Sequence, residues 1–153
     1  MPDDATEDAR PDLAAMMVPL GRALSAGELP ILAVHKLTMW AYIVLMALDD
    51  QPARTQAALA VAIGADKTRI IPVLDDLQKR GFIDRRPDPA DRRGRLLSLT
   101  PSGHGMFRAA QTAIRGYEQR VLEHLPTADR APFLRALSTL AALPWDAVAN
   151  PGT

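Results

Sequence analysis

The chain has 153 residues, enough for one domain with a real core. Its 18 basic and 18 acidic residues cancel, so a uniformly basic coat for nucleic acid is excluded and local segregation of charge becomes the informative quantity. Cysteine is absent, which excludes disulfides, thiolate chemistry and Cys-based metal sites.

No apolar run approaches the roughly 20 residues needed to span a bilayer. The N-terminus is acidic rather than a positive signal region. A soluble cytoplasmic protein without a membrane partner is the expectation. Residues 1–10 read as a disordered tail, with Asp3, Asp4, Glu7 and Asp8 against Arg10 alone. Leu13, Met16, Met17, Leu20 and Leu24 then recur at helical spacing and predict a first helix. Pro19 should interrupt or kink it, and Gly27 and Pro30 should limit its length.

A second helix is expected from Thr38, its cap, to Leu48. Its Met39, Trp40, Tyr42, Ile43, Val44, Leu45, Met46 and Leu48 are apolar nearly all round, the mark of a central helix. Thr55 caps a third helix, Gln56 to about Ile63, with Leu59, Ala60 and Ile63 inward and Gly64 closing it. Asp66 caps a fourth, which buries Ile70, Val73, Leu74 and Leu77 and stops at a left-handed Gly81. The third and fourth helices, separated by Gly64-Ala65-Asp66, fit a helix-turn-helix.

Two short strands follow, Phe82-Ile83 and Leu96–Leu99. Pro87, Asp88, Pro89, Asp91 and Gly94 make a broken, polar connection between them. The span from Lys67 to Arg95 holds nine basic residues and five acidic ones. Arginine suits a phosphate oxygen or a narrow DNA groove, because its planar fork stays charged and presents several donors. A helix-turn-helix followed by a basic hairpin points to double-stranded DNA.

Thr100 caps and Pro101 starts a long helix to about Leu125, striped by Met106, Phe107, Ala110, Ile114, Tyr117 and Val121. Pro126 stops it. Thr127 is the expected cap of a last helix, from about Ala128 to Leu143, and Trp145 is a candidate to dock. The terminal helices are too apolar for the central unit alone to cover, so a two-fold dimer built from them is expected. The fold class is mainly α (α+β), a winged helix-turn-helix whose terminal helices form a dimerisation region. Residues 11–36 and 101–148 supply that region and residues 37–100 the DNA-binding lobe.

Three segments resemble the MarR family of transcriptional regulators. LTMWAYIVLMALDD resembles the helix before the reader. TQAALAVAIGADKTRIIPVLDDLQKRGFIDRR resembles the helix pair and first wing strand. DPADRRGRLLSLTPSGHGMF resembles the wing and the start of the long dimer helix. The family's acidic-x-Arg wing signature falls on Asp91 and Arg93, and its Leu-Thr-x-x-Gly pattern on Leu99, Thr100 and Gly103. The resemblance implies a homodimeric repressor of a near-palindromic operator, released by a small aromatic or phenolic ligand.

Carried over by residue, Arg93 enters the minor groove, with Arg92 and Arg95 beside it and Asp91 orienting that arginine or bracing the loop. Thr68 and Arg69 reach base edges or phosphates, and Lys67 touches phosphate. Pro72 stands where many relatives have a polar or basic reader, which implies base readout that is weaker or shifted toward Arg69 and Lys79. Asp75 and Asp76 are expected to point away from phosphate. The implied ligand pocket draws on Arg22, His35, Met39, Trp40, Tyr42 and Ile43. The absence of cysteine removes a thiol-oxidation switch.

Other classes find less support. His35, His104 and His124 are far apart and lack metal-ligand spacing, and no phosphate loop, nucleophile elbow or carboxylate pair stands out, so neither enzyme, metal nor cofactor is expected. A winged-helix adaptor that binds protein instead of specific DNA is the alternative. The Arg92, Arg93, Arg95 cluster argues against it.

Overall fold

The computed structural model describes residues 10–53 and 55–149, the side chain of Ala147 excepted. The expected tail therefore lies, Arg10 apart, outside the described residues.

The first helix, α1 (Leu13–Val34), is continuous through Pro19, Gly27 and Pro30, contrary to the expected limits. Each proline frees one carbonyl, but Ala15 and Ala26, four residues back, are both exposed, so water can take up the freed groups. Burial fixes the far end. Leu32 is fully buried, and its carbonyl accepts from the N–H groups of His35 and Leu37. By length and composition α1 is also long and apolar enough to cross a membrane, with mean hydropathy 1.3. This corrects the sequence expectation: Arg22 and Glu28 break every local run and hide the average.

Thr38 caps α2 (Met39–Asp50) as expected, its hydroxyl accepting from Ala41 N–H. Ala41, Tyr42, Val44, Leu45 and Leu48 are buried, which makes α2 the axis of the core. Thr55 caps α3 (Gln56–Ala62) through Ala58 N–H, and Gly64 follows at φ 65°. Asp66 caps α4 (Lys67–Lys79), which buries Ile70, Leu74 and Leu77 against α2 and α3. Gly81 takes the left-handed conformation, φ 78°. Pro72 does not break α4, and the carbonyl it frees belongs to exposed Thr68.

The strands are longer than the sequence suggested. β1 (Ile83–Asp88) pairs antiparallel with β2 (Asp91–Leu99), from Ile83 opposite Leu99 to Pro87 opposite Arg95. The reason is Asp88, which is buried and accepts from Ala90 N–H, so Pro89-Ala90 becomes a tight turn. Ala53 adds an unpredicted bridge, exchanging both backbone hydrogen bonds with Leu97.

The long helix α5 (Pro101–Leu122) buries Phe107, Ala110 and Ile114, with Phe107 against Tyr42 at 5.6 Å between ring centroids. It ends before the expected Leu125, because the chain tightens into short-range turns at His124 and Leu125 ahead of Pro126. A boundary between two compact units falls inside α5, after Arg115. In the second unit, α6 (Thr127–Ala141) starts at Thr127 itself, with Pro126 in the cap position and no side-chain cap. Trp145 does not dock; it is 55% exposed and opens the short α7 (Trp145–Ala149).

The wing is seated on α5 through Gly103. A Cβ there would lie 2.0 Å from the Phe82 carbonyl oxygen, whereas one at Gly105 meets nothing within 4 Å. Gly103→Ala is expected to destabilise the chain by about 1–3 kcal/mol through overpacking. Gly105→Ala should be neutral or stabilising by roughly 0.5–1 kcal/mol, from helix propensity. Urea unfolding of the two variants checks the contrast. Equal midpoints would show that the wing gives way at no cost.

Candidate nucleic-acid interface

The interface is built from two elements that present charge on one side of the lobe. The first turn of α4 carries Lys67, Thr68 and Arg69, all exposed. The wing carries Arg92, Arg93 and Arg95, also exposed. Between Asp91, paired with Asp88, and Arg95, paired with Pro87, the register shifts, so Arg92, Arg93 and Gly94 stand in a bulge on β2. A bulge bends a strand and re-aims its side chains. Asp91 holds this bulge through the backbone: its carboxylate accepts from Arg93 N–H at 2.9 Å.

These elements meet at a hollow of about 500 Å³, lined by Thr55, Gln56, Lys67, Arg85, Arg93 and Arg95 among others. Lys67, Arg93 and Arg95 come together there; Arg69, Arg92 and Lys79 do not line it. Arg69 instead lies over the Trp40 ring, 6.0 Å from its centroid. Lys79 sits exposed in the last turn of α4.

The acidic residues of α4 are tied back to cations. Asp75 accepts from Arg85 Nη2 at 2.8 Å, and Asp76 from Arg80 Nη1 at 3.3 Å. Such surface pairs add little stability, but they lower the net negative charge facing a polyanion. Arg80 also donates to the Lys36 carbonyl at 2.9 Å and stacks over Phe82 at 4.9 Å. The Asp75–Arg85 and Arg80–Lys36 links were not found from sequence, since partners so distant along the chain leave no periodic signal. The same holds for His104 Nδ1 and Asp49, 2.7 Å apart, which join the start of α5 to the end of α2.

The residues expected to line a ligand pocket separate. Arg22 and Met39 share an open groove of about 460 Å³ with Gly21, Ser25, Ala26 and Leu29. Tyr42 is in the core against Phe107, which corrects its assignment to the pocket lining. Trp40 lies under Arg69, His35 caps the end of α1, and Ile43 is half-buried in α2. None of these three lines the groove.

Asp66 orders the first turn of α4. Its carboxylate accepts from both the N–H and the hydroxyl of Thr68, each at 2.8 Å. The backbone bond, then the hydroxyl bond, hold its pKa below the ordinary aspartate value. A lowered folded-state pKa stabilises the fold above the unfolded value, and that contribution is lost as pH falls through the folded value. Asp66→Asn should keep the cap but lose its share of the acid sensitivity, while Asp66→Ala should lower stability at neutral pH. Thermal melts from neutral to acid pH separate the two. Parallel pH profiles for wild type and Asp66→Asn would refute the linkage.

Known proteins agree with this geometry. Residues 35–94 match the MarR family. The chain is 36% identical over 74 residues to the transcriptional regulator HosA of Escherichia coli O111:H-, a match covering 48% of this chain and 55% of HosA. It is 29% identical over 102 residues to the HTH-type transcriptional repressor NicR of Pseudomonas putida, covering 67% of this chain and 65% of NicR. The chain thus spans between 55% and 65% of the length of these relatives. Among solved structures, the transcriptional repressor CouR bound to a 23-mer DNA duplex superposes with a TM-score of 0.73 at 29% identity, covering 85% of this chain and 92% of CouR. With its helix pair and two-stranded wing the chain has the winged helix-turn-helix fold, and residues 35–94 of it match the MarR family.

Proposed function

We propose that this protein is a transcriptional regulator that binds duplex DNA as a homodimer and represses a near-palindromic operator. The observation that carries this is the convergence of Lys67 from α4 with Arg93 and Arg95 from the wing around one hollow. On this reading α4 enters the major groove and Arg93 the adjacent minor groove, where its guanidinium meets a negative potential. The likeness to CouR, solved bound to a DNA duplex, supports duplex DNA as the partner.

The dimer rests on two apolar faces. In α1, Leu13, Met16, Met17 and Leu20 are 42–58% exposed. In α6, Phe133, Leu134, Leu137 and Leu140 are 38–46% exposed. Two rows of large side chains left to water favour burial, and a second copy of the chain would cover them isologously. The C-terminal end of α1 is embedded in the lobe at Leu32, which favours a protein partner for its exposed end over a lipid one.

Arg93→Ala should weaken binding to a selected operator by about 1–3 kcal/mol per subunit while leaving the dimer intact. Fluorescence anisotropy at fixed salt reads the affinity, and light scattering should give twice the mass of one chain for both proteins. Unchanged affinity would remove Arg93 from the interface, and a monomer that still binds the operator would remove the proposed assembly.

The groove beside α1 is the proposed effector site. Arg22 offers a cation to a carboxylate, and Met39, Leu29 and Ala26 an apolar wall to an aromatic ring. Such a ligand derepresses only by favouring a spacing of the two α4 helices that DNA cannot accept. Titrating salicylate into the protein–operator complex should release DNA, and Arg22→Ala should blunt that release. Release that is identical in the variant would place the effector elsewhere.

A further inference from the structure

The outward face of α4 is poor in free hydrogen-bond donors. Helical geometry turns Thr68, Ile71, Pro72, Asp75 and Lys79 away from the buried Ile70–Leu74–Leu77 stripe. Ile71 is 37% exposed, and Pro72 is exposed next to it. The Thr68 hydroxyl donates to Asp66 at 2.8 Å, which leaves its methyl as the group free to meet a base. Arg69 is drawn sideways over Trp40, and Lys67 lines the hollow under the wing. The middle of the reading face therefore offers methyl and methylene groups, with cations at its ends.

The acidic neighbours sharpen the choice. Guanine shows two acceptors in the major groove, which a carboxylate repels and an apolar side chain leaves unsatisfied. Thymine shows a methyl group, which apolar side chains contact favourably. Asp75 is paired with Arg85, so its carboxylate is already occupied instead of free to accept from the cytosine amino group. The surrounding arginines of the wing favour duplex DNA over an apolar protein surface as the occupant of this face.

We propose that α4 reads thymine 5-methyl groups through Thr68, Ile71 and Pro72, so that each operator half-site is centred on A·T rather than G·C pairs. This rests on the DNA-binding reading above and adds to it the base class that is read.

The experiment uses the full chain and duplexes enriched by it from a random-sequence library. Each thymine of an enriched duplex is replaced in turn by deoxyuridine, which removes only the methyl group. At one thymine or more per half-site, affinity should fall about fourfold, and roughly fifteenfold when both half-sites are changed, the value of one buried methyl-sized group. Ile71→Ala or Thr68→Ser should bind the thymine and deoxyuridine duplexes almost equally at the position each side chain touches. Thr68→Ser keeps the hydroxyl that bonds Asp66, so its fold is preserved. An enriched site that binds specifically, yet is indifferent to every deoxyuridine or is centred on G·C, overturns the inference and leaves the regulator intact. A library from which no sequence is enriched overturns the regulator reading and this inference with it.

Discussion

The wing depends on one small junction. The Thr100 hydroxyl donates to the Gly81 carbonyl at 2.6 Å and accepts from Gly103 N–H at 3.0 Å, while Thr100 N–H donates to the Phe82 carbonyl at 3.1 Å. One residue thus satisfies the end of α4, the root of the hairpin and the open first turn of α5 together. Gly103 is the condition for it, because only a residue without Cβ lets the Phe82 carbonyl approach so closely. The Leu99-Thr100-x-x-Gly103 pattern therefore has a backbone cause. With both ends of the hairpin held, its projecting tip takes a defined direction relative to α4, and recognition by two elements at once needs that direction.

Features set by local chemistry were legible in the sequence. Thr38, Thr55 and Asp66 cap the helices assigned to them, and Gly64 and Gly81 take positive φ after α3 and α4. A cap needs only its own side chain and an N–H two or three residues on. Features set by distant partners were not legible. α1 outlasts its prolines because Leu32, beyond them, is buried in the shared core. β1 and β2 extend past Pro87 because Asp88 is enclosed and ties its own turn, which polarity alone argues against. The arginine cluster was visible as composition, but the bulge that aims it is a property of strand pairing. Tyr42 was assigned to a pocket on chemistry that suits a ligand equally well, and its packing against Phe107 decided otherwise.

A chain of zero formal charge can still present a surface suited to a polyanion when its acids are occupied. Asp66 spends its carboxylate on Thr68, Asp75 on Arg85, Asp76 on Arg80 and Asp84 on Arg86. Each pairing is individually weak. Their joint effect is spatial: the acids sit along α4 and at the root of β1, and the unshared arginines gather beyond them in the bulge. In the proposed complex, long-range attraction would act on the wing tip, while the middle of α4 would be left to contacts of short range. Backbone contacts of the first kind set orientation and carry no sequence information; base contacts of the second kind carry it.

Arg80 relates the reader to the rest of the lobe. Its guanidinium joins the last turn of α4, through Asp76, to the carbonyl of Lys36 in the turn between α1 and α2. Lys36 takes φ 55°, a conformation a non-glycine residue adopts only where its surroundings hold it. The turn that carries α1 and the end of α4 thus share one side chain, which is also stacked on Phe82 at the root of the wing. A shift of α1 relative to α2 must either break the Arg80–Lys36 bond or carry α4 and the wing root with it. In the proposed dimer, where α1 belongs to the interface, the spacing of the two readers and the seating of the subunits are then not independent quantities. A ligand between α1 and α2 has only to change one of them to change both.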